Sequence, residues 1–293
     1  MPYRFRRKET VSDGFRRITN EQTAAIVSAL ADGAEDPADR VHDARRRLKR
    51  LRALLELVGS QMDDDLVTRE QIAYRNLSRK LGLARDADVA LETFDELAIE
   101  VIGPIDAMRD LLVTASQRQR KRTLSADKLA ALAAQIRVCS HTLVKQKIAD
   151  DGWDSIALTM GHSYQKARDA YRAKADKPEA MHDWRKFTKT LMYQLTLIRK
   201  AAPKPISKLI PQLARLAELL GHFQDLHVLQ RILSEHAAHG LQMAKFPTLE
   251  AIIEKHRKCA LKRAQKLGKK VFAIRPKDFA NQLRRGCKAW RRG

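Results

Sequence analysis

Two eighteen-residue stretches of this chain carry the same set of cations at the same spacing. They are VHDARRRLKRLRALLELV, from Val41 to Val58, and MHDWRKFTKTLMYQLTLI, from Met181 to Ile198. Their shared centre is His-x-x-Arg-Arg/Lys-x-x-Lys: His42, Arg45, Arg46 and Lys49 in the first, His182, Arg185, Lys186 and Lys189 in the second. The chemistry such residues can do is anion binding. A guanidinium offers a planar fork to two phosphate oxygens, and an ammonium acts as a point charge. The histidines have two readings that stay open, donors to an anion or neutral side chains bonded to a neighbouring carbonyl or carboxylate.

On a helix, at about 100° per residue, the four central groups of each stretch fall within about 60° of the histidine. In the first stretch Arg50 and Arg52 lie on the flanks, and Leu48, Leu51, Leu54, Leu55 and Val58 lie opposite. In the second, Tyr193 joins the cationic face and Phe187, Leu191, Leu195 and Ile198 lie opposite, while Thr190 and Met192 stand where the first has Arg50 and Arg52. Successive turns are about 5.4 Å apart, a pitch at which a ladder of cations can meet successive phosphates without reading a base. The face is costly, because like charges three or four residues apart repel by a few tenths of a kcal/mol per pair. A solvated face normally mixes signs, yet here Glu56 comes only at the far end. Its recurrence favours a site over a merely solvated surface.

A second matched pair follows each helix. NLSRKLGLARDADVALETF begins at Asn76 and RLAELLGHFQDLHVLQRIL at Arg215, pairing Gly82 with Gly221, Asp86 with Asp225 and Val89 with Val228. Both pairs recur in the same order at nearly the same separation, 140 and then 139 residues. The elements that position the cations are therefore two similar helical halves, residues 1–150 and 151–293, packed as one domain. Amphipathic helices are expected over 19–31, 37–58, 64–81, 86–101, 205–220, 225–238 and most of the remaining chain, with no alternating strand pattern. Gly82 and Gly221 read as helix-ending glycines, and Asp86 and Asp225 as acids entering the following helix at its positive end. The expected fold class is all-α.

The bulk charge agrees. Among 293 residues, 57 Lys and Arg outweigh 35 Asp and Glu, for a net charge of +22, and aromatic residues make up only 5%. An excess of this size points to a polyanionic partner: nucleic acid, an anionic membrane surface or a phosphate polymer. Cys139, Cys259 and Cys287 are odd in number and form no CxxC pair, which argues against a zinc site or disulfide framework and for a reducing compartment. No apolar run approaches the roughly 20 residues of a membrane span, and MPYRFRRKET lacks the apolar core of a signal peptide, so a cytoplasmic protein is expected. Oligomeric state is not legible.

The His42-Asp43 and His182-Asp183 dipeptides suggest a metal phosphohydrolase. That reading is set aside, because adjacent helical residues point about 100° apart and cations surround both pairs. A magnesium site at Asp86 and Asp88 is set aside as well. No phosphate loop, nucleophile elbow or cofactor motif occurs, so neither catalysis nor a cofactor is expected. Sequence-nonspecific nucleic-acid binding is the competing function, weakened by the scarcity of stacking aromatics and of recognisable DNA- or RNA-binding motifs. Secondary cationic candidates are Arg17 in GFRRI, Arg75 and Arg79 on one helix face, and Tyr164, Lys166 and Arg168 in GHSYQKARDAY. The tail from Lys255 onward holds 15 Lys and Arg against the single acid Asp278 among Asp and Glu.

The paired His-x-x-Arg helices, followed by LGLARDADV and LGHFQDLHV, resemble the CHAD domain, the conserved histidine α-helical domain. The resemblance runs from about Gly14 to Trp290. It implies a helical bundle of two pseudo-symmetric halves around a basic central groove that binds inorganic polyphosphate, in some members at polyphosphate granules. Carried over residue by residue, the groove would include His42, Arg45, Arg46, Lys49, Arg52, His182, Arg185, Lys186 and Lys189, with Tyr164, Lys166 and Arg168 as weaker matches. Met192 departs from the usual basic pattern. Many relatives also carry a triphosphatase domain of the CYTH type. Its alternating Glu-x-Glu strands do not occur here, which implies a stand-alone binding module.

Overall fold

The computed structural model describes residues 3–31, 36–101, 105–148, 153–173, 178–237 and 246–292. The regular elements among them are all helical. The first half holds α1 (Val11–Ala31), α2 (Pro37–Val58), α3 (Asp64–Lys80), α4 (Gly82–Ala98), α5 (Asp106–Thr123) and α6 (Ala126–Val144). The second holds α7 (Trp153–Arg172), α8 (Pro178–Leu197), the single turn α9 (Lys204–Ser207), α10 (Leu209–Ala237), α11 (Phe246–Val271) and α12 (Pro276–Arg292).

Helix starts follow local chemistry. Asp36 accepts from the Ala38 amide at 2.8 Å with Pro37 in the first turn, and Asp63 accepts from the Leu66 amide at 2.8 Å. α1 begins eight residues before the expected position 19. Thr10 Oγ1 accepts from the Asp13 amide at 3.0 Å and donates to the Asp13 carboxylate at 2.7 Å, a local cap that starts the helix early. The larger difference concerns the glycines. α10 runs unbroken through Gly221, where two helices were expected; at Gly82 the expected break is present, with α3 ending at Lys80, but α4 opens at Gly82 itself rather than at position 86. Only Gly221 fails to end a helix, and both glycines lie against an arginine described below.

The packing pattern repeats. α1 lies on α2 and α6 as α7 lies on α8 and α12, and α4 pairs with α5 as α10 pairs with α11. α2 and α8 meet each other directly. One hydrophobic core extends from Tyr3 to Cys287 through both halves, and it takes the apolar stripe of α2: Val41, Ala44, Leu48, Leu51, Leu54, Leu55 and Val58. Burying each such Leu or Val contributes about 1.5–3 kcal/mol. From α8 and the residue just after it, it takes Met181, Trp184, Leu191, Leu195 and Ile198. Phe187, expected in that stripe, is only half-buried and lies under the Lys186 ammonium. A second cluster joins α4 and α5 to α10 and α11 through Phe94, Leu112, Leu229 and Ile253. The cationic faces of α2 and α8, turned away from the first core, point toward α4 and α10. Among the described residues, no helix is long and apolar enough to cross a membrane.

Candidate polyanion-binding groove

The two cationic faces converge on one cavity of about 380 Å³. α2 supplies His42, Arg45, Arg46 and Lys49, and α8 supplies His182, Arg185, Lys189 and Tyr193. α4 closes one side with Arg85, Asp86 and Val89, and α10 the other with Gln224, Asp225 and Val228. Residues 140 apart in the chain thus face a common space.

The cations form a floor and a rim. On the floor, Arg45 is 18% exposed; its Nη1 donates to the Gly82 carbonyl at 3.1 Å and to Asp86 Oδ1 at 3.4 Å. Arg185 is its counterpart, but its Nε is buried without a hydrogen-bond partner. Each guanidinium lies close against a glycine. A Cβ on Gly82 would meet Arg45 Nη2 at 3.3 Å, and one on Gly221 would meet Arg185 Nε at 3.4 Å. On the rim, Arg46 (49% exposed) contacts Asp43, which also accepts from Arg47 at 2.5 Å, and Lys186 (46% exposed) donates to Asp183 at 2.6 Å. The acids of both His-Asp dipeptides are therefore occupied by rim cations.

The floor is electrostatically strained by like charges. Burial, then the charges of Lys189, Arg45 and Arg185, hold the Lys49 ammonium down to about 7. Burial and Arg185 bring Lys189 to about 8. Partial desolvation and the surrounding cations also lower His42 and His182. Burial raises the Asp225 carboxyl against the pull of Arg185. A polyanion laid on this floor supplies the missing counter-charge and favours the protonated form of each base. Asp86 and Asp225, read from sequence as helix-entry acids, belong to this groove. So do Tyr193, which helical periodicity put on the cationic face without naming it as a ligand, and Arg85, which sequence reasoning did not place in the site. The repeat matched Asp86 with Asp225, and that was their available signal. Among the described residues, no group of three or more His, Cys, Asp or Glu is arranged to hold a metal ion.

The CHAD domain family model matches residues 17–234, most of the chain and both cationic helices. The chain belongs to the CHAD domain family. The CHAD domain from the plant Ricinus communis superposes with a TM-score of 0.62 at 22% identity, covering 99% of this chain and 97% of that one. PptA from Streptomyces chartreusis gives 0.68 at 16% identity, covering 91% and 100%. At these identities the likeness is one of fold. No curated protein matches the chain significantly.

Within this CHAD fold the remaining candidates separate. Arg52 and Arg75 line a side pocket with Glu56, His182, Lys186 and Thr190, continuous with the floor through Lys49, Arg185 and Lys189. Arg79 is exposed one turn further along α3, and Lys166 is exposed on α7 near Glu56. The other three are structural. Arg17 is held by Glu9 at 2.7 Å and Glu21 at 3.1 Å and donates to the Arg4 carbonyl. Tyr164 is fully buried and shares its hydroxyl proton between the carbonyls of Val271 and Ile274, each at 3.1 Å. Arg168 Nε donates to the Phe272 carbonyl at 3.1 Å. Tyr164 and Arg168 fasten α7 to the α11–α12 junction, outside the groove.

Proposed function

We propose that this chain is a binding module for inorganic polyphosphate, which lies in the groove between α2, α4, α8 and α10, and that it performs no chemistry on the polymer. One observation carries the reading. Arg45, Lys49, Arg185 and Lys189, from two halves of the chain, line one recessed cavity, and like charges crowd it until an anion arrives. A slim chain of phosphates can reach such a floor and be held by charge-assisted hydrogen bonds. Membership of the CHAD domain family supports the same polymer. A nucleic acid carries bases that need room or stacking partners, and Tyr193 is the single Phe, Trp or Tyr lining the cavity among the described residues.

The test is competition between long-chain polyphosphate and duplex DNA for the full chain at physiological salt. Preference for polyphosphate is expected; equal or tighter binding to DNA overturns it. Orthophosphate release over a panel of divalent metals checks the absence of chemistry, and any enzyme-dependent release would contradict that part. A module that holds the polymer in this way associates with polyphosphate granules, which fluorescent tagging in granule-forming cells can check.

A further inference from the structure

The two halves repeat the groove's centre but not its mouths. In the register of the repeat, Arg52 corresponds to Met192, Arg75 to Ala214 and Arg79 to Glu218. The structure places these sets at two different openings. Arg52 and Arg75 line the pocket on the α2–α3 side, and Arg79 stands exposed one helical turn along α3. Met192, Ala214 and Glu218 line the pocket on the α8–α10 side. Arg185, Lys189 and Tyr193 border both pockets, so each opens from the same floor.

Their charges differ in kind. At the α2–α3 mouth, Gln71 braces Arg52 by donating to its backbone carbonyl at 3.0 Å. The one acid of that pocket, Glu56, faces Lys166, Arg52 and Lys186 together. At the α8–α10 mouth, Glu218 is already paired with Arg215 at 3.0 Å, and the wall beside it combines Met192, Ala214 and Ala217 with His222 and a second acid, Asp225. One mouth continues the cationic track and the other ends it.

We infer that a phosphate polymer longer than the groove leaves it in one direction only, over α3 past Arg52, Arg75 and Arg79, and that the α8–α10 mouth holds none of it. This rests on the polyphosphate reading and adds a path and a polarity to it. Exposed arginines along that path supply phosphate contacts to the overhanging polymer, which a short oligomer confined to the floor does not reach. Each contact releases counterions and adds to the salt dependence of binding.

The experiment compares tripolyphosphate with long-chain polyphosphate on the full chain and three variants. R75Q/R79Q is expected to lose about tenfold in long-chain affinity, to lose less for tripolyphosphate, and to lower the slope of log affinity against log salt by roughly two. A control, K269Q/K270Q, removes equal charge from exposed positions on α11. It is expected to leave the long-chain slope within one unit. A214R/E218R builds a second track and is expected to raise long-chain affinity severalfold. Equal losses in R75Q/R79Q and the control, or no loss in either, overturn the directional path while leaving groove binding intact. Failure of the wild-type chain to bind either phosphate overturns the underlying reading instead.

Discussion

Arg45 reaches from α2 to the backbone of Gly82, donating to its carbonyl at 3.1 Å, and a Cβ there would lie 3.3 Å from its Nη2. Arg185 rests on Gly221 in the corresponding way, at the looser distance of 3.4 Å. The glycines are cradles, which leads to opposite outcomes for small and large substitutions at Gly221. Gly221→Ala makes ordinary contact and removes a flexible residue from the interior of α10. It should raise stability by about 0.5–1 kcal/mol in thermal unfolding and leave polyphosphate affinity within about twofold, since the new contact is an ordinary one. Gly221→Leu should push Arg185 off the floor and weaken binding at least severalfold with the helical content unchanged.

The floor cations should dominate affinity. Arg185→Ala removes the arginine whose Nε has no partner within the protein. It should cost about 1.5–3 kcal/mol of binding, tenfold or more, measured by calorimetry. Reversing Arg45, Lys49, Arg185 and Lys189 to Glu together should abolish binding while circular dichroism remains helical. Retained binding in that variant would move the site to the basic helices α11 and α12.

Stability and binding should respond to pH in opposite senses. Lys49 and Lys189 titrate at about 7 and about 8 in the free protein. In the unfolded chain a lysine keeps its proton to about 10.4. The unfolded state therefore binds more protons between these values, and stability of the free protein should rise with pH from about 7 to about 10. Bound polyphosphate favours the charged lysines, so its affinity should fall over the same range. Melting curves with and without polymer test both signs. Lys49→Met should flatten the rise, and an unchanged profile would show that Lys49 keeps its charge in the free protein. His42 and His182, lowered in the same direction, should add to binding in acid.

Tyr164 separates family pattern from site. Tyr164→Phe removes the hydroxyl shared by the Val271 and Ile274 carbonyls and should destabilise the fold by about 1 kcal/mol. Binding should be unchanged when measured well below the melting temperature. A loss of affinity at unchanged stability would instead give the hydroxyl a role in the groove.

Much of the site was legible because helical periodicity is a local property. The angular positions of Leu51 and Leu54 opposite Arg45 and Lys49 follow from 3.6 residues per turn, and Leu51 and Leu54 are indeed buried. Other features depended on neighbours distant in sequence. Phe187 stays half-buried at the edge of the core, under the Lys186 ammonium, although its helical position alone put it in the apolar stripe. Gly221 reads as a helix end because punctuation is the commonest role of glycine, whereas it lies inside α10 against the Arg185 guanidinium from another helix; Gly82, at the expected break, faces Arg45 as well. Arg168 reads as a free cation because its partner, the Phe272 carbonyl, lies 104 residues along the chain, whereas the pairing of Arg17 with Glu21 four residues on is local and legible.

The sequence by itself determined an all-helical chain, its internal repeat and the two cationic faces, since residue type and a fixed helical period suffice for these. Only the tertiary structure decided that the faces share one cavity, that Asp86 and Asp225 stand inside it and that its two mouths differ in charge. The physical reason is that burial and Coulomb interaction depend on separation in space. Lys49 is an ordinary lysine on its own helix and becomes a strained one beside Lys189 and Arg185, which lie more than a hundred residues along the chain.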